Sequence, residues 1–196
     1  KLGVGEVLII TGELSGRQVR RLVEDGRLHG VAVRMLPSYE QLLAGTVAVL
    51  DGGFDLDHPD LAPNINLALS ADFTGEGLEY GLPGPFSHGT HVAGTIAAAD
   101  NAFGTIGVAP EAELVLVKVL GDSGSGSFGD VIAGIYHAAM VDADVMNMSL
   151  GATIPRSNKD QDPGHAASVS ALANAVSQAM SWARQQGTLA IVSAGN

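Results

Sequence analysis

The sequence predicts an α/β protein with a mostly parallel sheet flanked by helices, and two observations carry that expectation. Short runs rich in Val, Ile and Leu recur at 6–10, 31–36, 47–50, 113–120, 144–149 and 188–193. They are mostly non-alternating, as in strands buried on both faces. Between them lie segments whose apolar residues fall at i, i+3 and i+4, the spacing of an amphipathic helix. The length of 196 residues suits one domain, or one with a small appendage. With 46% hydrophobic and 16% charged residues there is enough apolar mass for a real core.

The helices follow in order. Ser15-Gly16-Arg17-Gln18 reads as a capping box opening a helix to Leu28, with Gly30 near its end. A second helix starts near His88 and runs through Val92, Ile96 and Ala99. A third spans 130–140, with Val131, Ile132, Ile135, Ala139 and Met140 on one side. The longest covers 166–186, with Val169, Leu172, Val176, Met180 and Ala183 in one stripe and Gly187 as its stop. Loops are expected at 51–87, rich in Gly, Pro and acids, and at 152–165, which is polar and holds Pro155 and Pro163. The tract Gly121-Asp122-Ser123-Gly124-Ser125-Gly126-Ser127 is long enough to be mobile or to host an extended ligand.

Composition removes several classes of function. With no Cys there is no disulfide scaffold, thiolate zinc site or cysteine nucleophile. The net charge of −11 speaks against non-specific binding to nucleic acid or an anionic membrane. That charge is uneven: six basic against four acidic groups in 1–36, but four against 17 in 37–196. The acidic body suits hard cations or basic ligands, or simply keeps the protein soluble. No run approaches the roughly 18 apolar residues of a membrane span. Lys1-Leu2-Gly3-Val4-Gly5 has neither an initiator Met nor a signal-peptide profile, so the natural N-terminus is expected to lie upstream.

In parallel α/β sheets, ligands bind beyond the carboxyl ends of the strands. Asp51, Ser149 and Asn196 stand at three such ends. Asp51 precedes Gly52-Gly53, so it either caps a sharp turn or presents a carboxylate at a buried rim. His88 opens a helix that is rich in small residues: Gly89, Ala93, Gly94, Ala97 and Ala98. These let other backbone approach closely. A His in a first turn needs a carboxylate nearby to be a useful base, since the helix dipole disfavours imidazolium there. His88 and His91 make a poor metal pair, because the Glu and the spacing of His-Glu-x-x-His are both absent.

Several segments in register decide between these readings. Val47-Ala48-Val49-Leu50-Asp51-Gly52-Gly53-Phe54-Asp55, followed by His58-Pro59-Asp60-Leu61, resembles the catalytic-Asp region of subtilisin-like serine proteases. Ser87-His88-Gly89-Thr90-His91-Val92-Ala93-Gly94-Thr95 is similar to their catalytic-His helix. Gly107-Val108-Ala109-Pro110, Val117-Lys118-Val119-Leu120, Asn147-Met148-Ser149-Leu150-Gly151 and Ser193-Ala194-Gly195-Asn196 follow in the family's order. The resemblance covers 46–196 and implies a subtilisin-like fold, truncated at its C-terminal part, behind a strand–helix–strand segment at 1–45 of open role.

The resemblance implies a serine endopeptidase. Asp51 would orient His88, His88 would shuttle the proton, and Asn196 would be the oxyanion donor. It places Gly124, Ser125 and Gly126 on the edge that pairs with an extended substrate. Ser149, Leu150 and Gly151 fall on the wall of the pocket for the residue before the cleaved bond. It also implies a Ca²⁺ site from Asp60 and Asn101 with carbonyls of Ala99, Phe103 and Thr105, no organic cofactor, and a secreted or extracellular location. A surface loop is the plainer account of that segment, and solvated acids that of the Asp55/Asp57/Asp60 run.

Three departures stand out. The family's nucleophile motif, Gly-Thr-Ser-Met-Ala, is absent from these 196 residues. The chain alone is therefore expected to be inactive, with the Ser deleted, cut off or carried by a separate C-terminal chain. Gly121-Asp122-Ser123-Gly124 copies a nucleophile motif of all-β proteases, but on the wrong fold. Gly52 stands where the family usually has Thr or Ser, and 152–165 looks longer than usual. The competing reading is a non-catalytic module that binds peptides or a partner. A nucleotide binder is disfavoured, since no Gly-x-Gly-x-x-Gly joins strand to helix.

Overall fold

The computed structural model describes residues 6–11, 32–37, 45–83, 87–152 and 163–194. The helix expected at 15–28, the 153–162 part of the polar loop and Asn196 lie outside the described residues. The chain divides into two compact units, Lys1–Gly45 and Thr46–Asn196. In the first, β1 (Glu6–Thr11) pairs in parallel with β2 (Ala32–Pro37), Glu6 opposite Ala32.

The second unit is a five-stranded parallel sheet. Its strands are β3 (Thr46–Asp51), β4 (Ala71–Asp72), β5 (Glu113–Lys118), β6 (Val145–Met148) and β7 (Leu189–Val192), in the spatial order β4-β5-β3-β6-β7. The helices are α1 (His88–Ala97), α2 (Phe128–Met140) and α3 (Pro163–Gln186). Both faces of the sheet are covered. Ala48 and Leu50 of β3, Val115 and Val117 of β5, and Met146 and Met148 of β6 join Ile135 and Ala138 of α2 and Ala179 and Ala183 of α3 in one core. The alternate residues Val49, Leu114 and Leu116 pack with Ala93 and Ala97 of α1 on the other face. This two-sided burial is why the strands read as unbroken apolar runs.

Several boundaries differ from the sequence reading. β4 and a 3-10 turn at Ala62–Asn64 fall inside the expected 51–87 loop. α2 starts two residues early because Ser127 and Asp130 form a capping box: the Ser127 hydroxyl accepts from Asp130 N at 3.1 Å and the Asp130 carboxylate from Ser127 N at 3.2 Å. α1 ends at Ala97, since Ala98 turns extended and Ala99 N donates to Asp60 O at 2.8 Å. α3 starts at Pro163, whose fixed φ suits a first helical turn, so the loop ends sooner than expected. Gly187 stops it at φ +106.

Some apolar residues expected in the core are exposed. Met140 is one: five residues beyond Ile135, it is rotated roughly 140° around the helix from the buried stripe. Leu172 is another, and Leu189, Ile191 and Val192 of the edge strand β7 are about half exposed.

Candidate active site

β3 is the switch point of the sheet, with β5 and β4 to one side and β6 and β7 to the other. Asp51 is its last residue and is 1% exposed. Its carbonyl accepts from Val119 N at 2.9 Å and Leu120 N at 3.2 Å, which folds the end of β5 over it. Its carboxylate takes Gly52 N at 2.7 Å on Oδ1. His88 Nδ1 approaches both oxygens, at 2.8 and 2.9 Å. A buried carboxylate thus holds a ring whose side chain is 56% exposed. With Nδ1–H donating to Asp51, Nε2 is left as the atom that can accept a proton.

Local chemistry sets the approach of α1 to β3. Ser87 is the N-cap: its hydroxyl accepts from Thr90 N at 3.3 Å and donates to Gly53 O. Thr90 Oγ1 in turn accepts from Asp55 N at 2.8 Å. Gly89 is required here, because a Cβ would lie 2.9 Å from the Phe54 ring and 3.0 Å from Gly53 O. Gly94 differs from the sequence expectation: a Cβ there would meet nothing within 4 Å. No group of three or more His, Cys, Asp or Glu able to hold a metal occurs among the described residues, so His88 and His91 do not belong to one.

The pair opens onto a cleft of about 880 Å³ lined by Gly124, Ser125 and Gly126 along one stretch and Ser149, Leu150 and Gly151 along another. The first stretch leaves a tight turn in which Gly124 N donates to Gly121 O and Gly121 N to Ser125 O, both at 2.8 Å. Gly124 sits at φ +79, a conformation L side chains rarely adopt. Ser123 lies exposed within this turn. The second stretch is held by Asn147 Nδ2 donating to Ser149 Oγ and Ser193 Oγ donating to Leu150 O, each at 3.0 Å. Asn147 was not singled out from sequence, although it lies in the same motif. Gly151 leaves its backbone open to approach.

A third feature lies beyond the far end of α1. Asp60 is 3% exposed, which corrects its reading as one of three solvated acids. Its Oδ2 accepts from Thr105 N at 3.2 Å, while its Oδ1 is buried with no hydrogen-bond partner. Asn101 Nδ2 donates to Pro59 O at 3.2 Å, and its Oδ1 accepts from Phe103 N at 2.9 Å. An uncompensated buried carboxylate oxygen, on a residue hydrogen-bonded to a loop that carries an amide oxygen and backbone carbonyls, is chemistry that fits a hard cation. Asp55, nearby, is pushed above the ordinary carboxyl range by burial and by Asp57, with His58 acting against the shift.

The sequence pattern of the Subtilase family matches residues 44–196. The chain belongs to the subtilase family. The intracellular serine protease of Paenibacillus polymyxa is 50% identical over 109 residues, 54% of this chain and 32% of that protein. The minor extracellular protease Vpr of Bacillus subtilis (strain 168) is 40% identical over 158 residues, 76% of this chain and 17% of that one. Among solved structures, Sphericase superposes with a TM-score of 0.57 at 32% identity, covering 78% of this chain and 47% of its own. This subtilase chain therefore spans about a third or less of those two curated relatives and about half of that solved structure. One relative is named intracellular and another extracellular, so family membership does not fix the compartment. No described helix of the subtilase chain is long and apolar enough to cross a membrane.

The sequence reading passed over one charged residue beside the site. Lys118 pairs with Asp51 in the β3–β5 register and is 0% exposed. Its Nζ donates to Asp122 Oδ1 at 2.7 Å and lies 3.6 Å from Glu76 Oε2. Asp122 is held below the ordinary value of 3.8, first by the Lys118 hydrogen bond, against the opposing effect of burial, with Gly81 N–H adding to the lowering. Asp72 is also lowered: burial raises it, but the Thr74 hydroxyl and the N–H groups of Thr74, Gly77 and Gly75 outweigh that. A carboxyl depressed in the folded state adds stability that is present above its unfolded value and lost as pH falls through the folded one. The subtilase unit should therefore keep its stability down to near pH 3.8 on this account and lose it below. In urea unfolding, Asp122→Asn should lower the midpoint at neutral pH and flatten its decline in acid. A variant whose midpoint tracks the native protein at every pH would contradict this.

Proposed function

We propose that this chain carries the Asp and the His of an Asp-His-Ser triad in a serine endopeptidase. Asn196 is its oxyanion donor. The nucleophilic Ser is supplied from outside residues 1–196, by a continuation of the chain or by a separate one. The observation that carries the reading is the bond from His88 Nδ1 to a fully buried Asp51 at the rim of a glycine-lined cleft. Membership of the family and the naming of its relatives as proteases support it.

In this reading His88 Nε2 takes the proton of the Ser hydroxyl as its oxygen attacks the substrate carbonyl, and later returns that proton to the leaving amine. Asp51 keeps the Nδ1 proton in place and stabilises the imidazolium without itself taking the proton. The Asn196 side-chain amide donates to the oxygen that becomes negative in the tetrahedral state. Gly124, Ser125 and Gly126 offer their backbone to an extended peptide, which adds as a strand. Ser149, Leu150 and Gly151 wall the pocket for the residue before the cleaved bond. The ligand is a peptide or protein; nucleic acid and anionic membrane are poor partners for a net charge of −11.

Calcium belongs to the same reading. Asp60 and the Asn101 amide oxygen, with the carbonyls of Ala99, Phe103 and Thr105, would hold it, and the ion would fix the loop that follows α1. The support is the orphaned Asp60 Oδ1. An extracellular location goes with it, since an exposed calcium loop suits a calcium-rich medium.

A fluorophosphonate probe should label the catalytically complete polypeptide at a Ser outside residues 1–196 and leave the 196-residue chain unlabelled. In the complete polypeptide, His88→Ala should lower kcat by about 10²–10⁴-fold or more. Labelling of a Ser within these residues, or near-native turnover in that variant, would refute the reading. Peptide binding without any label would instead favour the non-catalytic module. For calcium, EDTA should lower the melting temperature and added Ca²⁺ should restore it; a melting temperature indifferent to both would remove the site.

A further inference from the structure

Lys118 keeps a charged ammonium where no solvent reaches, and that is tolerated only when carboxylates and hydrogen bonds surround it. The groups around it come from separate loops. Asp122 Oδ1 accepts from Lys118 Nζ at 2.7 Å, and Asp122 Oδ2 accepts from Gly81 N at 2.8 Å. The backbone of Asp122 donates to Glu76 Oε2 at 2.7 Å, and that same oxygen faces Lys118 at 3.6 Å. Contacts are tight on every side. A Cβ on Gly53 would lie 2.8 Å from Asp122 Oδ1, and one on Gly121 would lie 2.7 Å from Glu76 Oε1. The loop after Asp51, the loop after β4 and the turn at 121–125 therefore meet on one buried cation.

The turn continues directly into the glycine-lined edge of the cleft. Gly126 lies against the backbone of Val119 and Leu120, so the end of the 124–126 stretch is seated on the residues that follow Lys118. We propose that Lys118, Asp122 and Glu76 form a positioning clamp that fixes the 124–126 backbone for pairing with an extended substrate. The proposal rests on the reading of 124–126 as the substrate-pairing edge. None of the three residues touches the reacting atoms. Their effect is to hold peptide donors and acceptors in place before substrate arrives, which lowers the ordering cost of binding. The Lys118 hydrogen bond holds the Asp122 carboxyl below its ordinary value, which keeps that arm of the clamp ionised at neutral pH.

A clamp of this kind acts on binding along the edge, and its loss should show in KM for long substrates more than in kcat. The test compares two substrates in the catalytically complete polypeptide: a peptide amide with four residues before the cleaved bond, and an ester with only one. With Asp122→Asn, KM for the four-residue amide should rise about tenfold with kcat within about threefold, and the rise for the ester should be several times smaller. Glu76→Gln guards against a folding failure, because its side chain is 48% exposed and the amide still offers an acceptor to Asp122 N. It should give the same selective rise at smaller size. Equal losses on both substrates in either variant, or no loss on either, would overturn the clamp. Native protein that hydrolyses neither substrate would count against the protease reading itself, and this is seen before any substitution is compared.

Discussion

The hydrogen bond between His88 and Asp51 constrains much of the surrounding chain. A carboxylate that is 1% exposed cannot stay ionised without donors, and the described structure supplies Gly52 N and the imidazole Nδ1. That requirement sets where α1 begins and how close it comes. Ser87 caps the helix while gripping Gly53 O, and Thr90 takes Asp55 N. Gly89 lets the first turn settle on Phe54, itself fully buried. Hydroxyls on either side of the histidine thus tie its helix to the loop that leaves the aspartate. Gly52, with no hydroxyl to offer, gives the carboxylate only its N–H.

The sheet places this pair. β3 is central, its alternate residues feed two cores, and its carboxyl end falls where neighbouring connections diverge. The same register puts Lys118 beside Asp51 on the next strand. Two ionic groups of opposite sign then stand on neighbouring strands at the carboxyl end of the sheet, each answered by its own partners. Asp51 is answered by an exposed ring that can exchange protons with a ligand. Lys118 is answered by carboxylates that seal it away. In the proposed reading, adjacent positions in one register divide the work into chemistry and support.

Much of this was legible in the residues. Strand positions followed from apolar runs, because a strand buried on both faces has little choice of residue. The flanking glycines and small residues left Asp51 and His88 open to plainer accounts; the resemblance of several segments in register singled them out, and the structure brings them to 2.8 Å. What escaped depended on contacts distant in sequence. Asp60 reads as one more surface acid beside Asp55 and Asp57, and only the return of the 99–105 loop buries it. Lys118 carries no signal in the sequence beyond its place in a strand, because its partners Asp122 and Glu76 come from separate loops. β4 is two residues long, too short for any periodicity. Met140 shows the limit of helical pattern, which gives a stripe but not where the core beneath it ends.

The central claim is that the fold itself presents His88 as a base, with its Nδ1 proton bound to Asp51. Proton and nitrogen NMR on ¹⁵N-histidine-labelled protein tests it most directly. In the neutral ring the claim predicts a strongly downfield proton attached to Nδ1 of His88, with Nε2 unprotonated, and loss of that signal in Asp51→Ala. A proton resting on Nε2, or a downfield signal that survives the removal of Asp51, would contradict it.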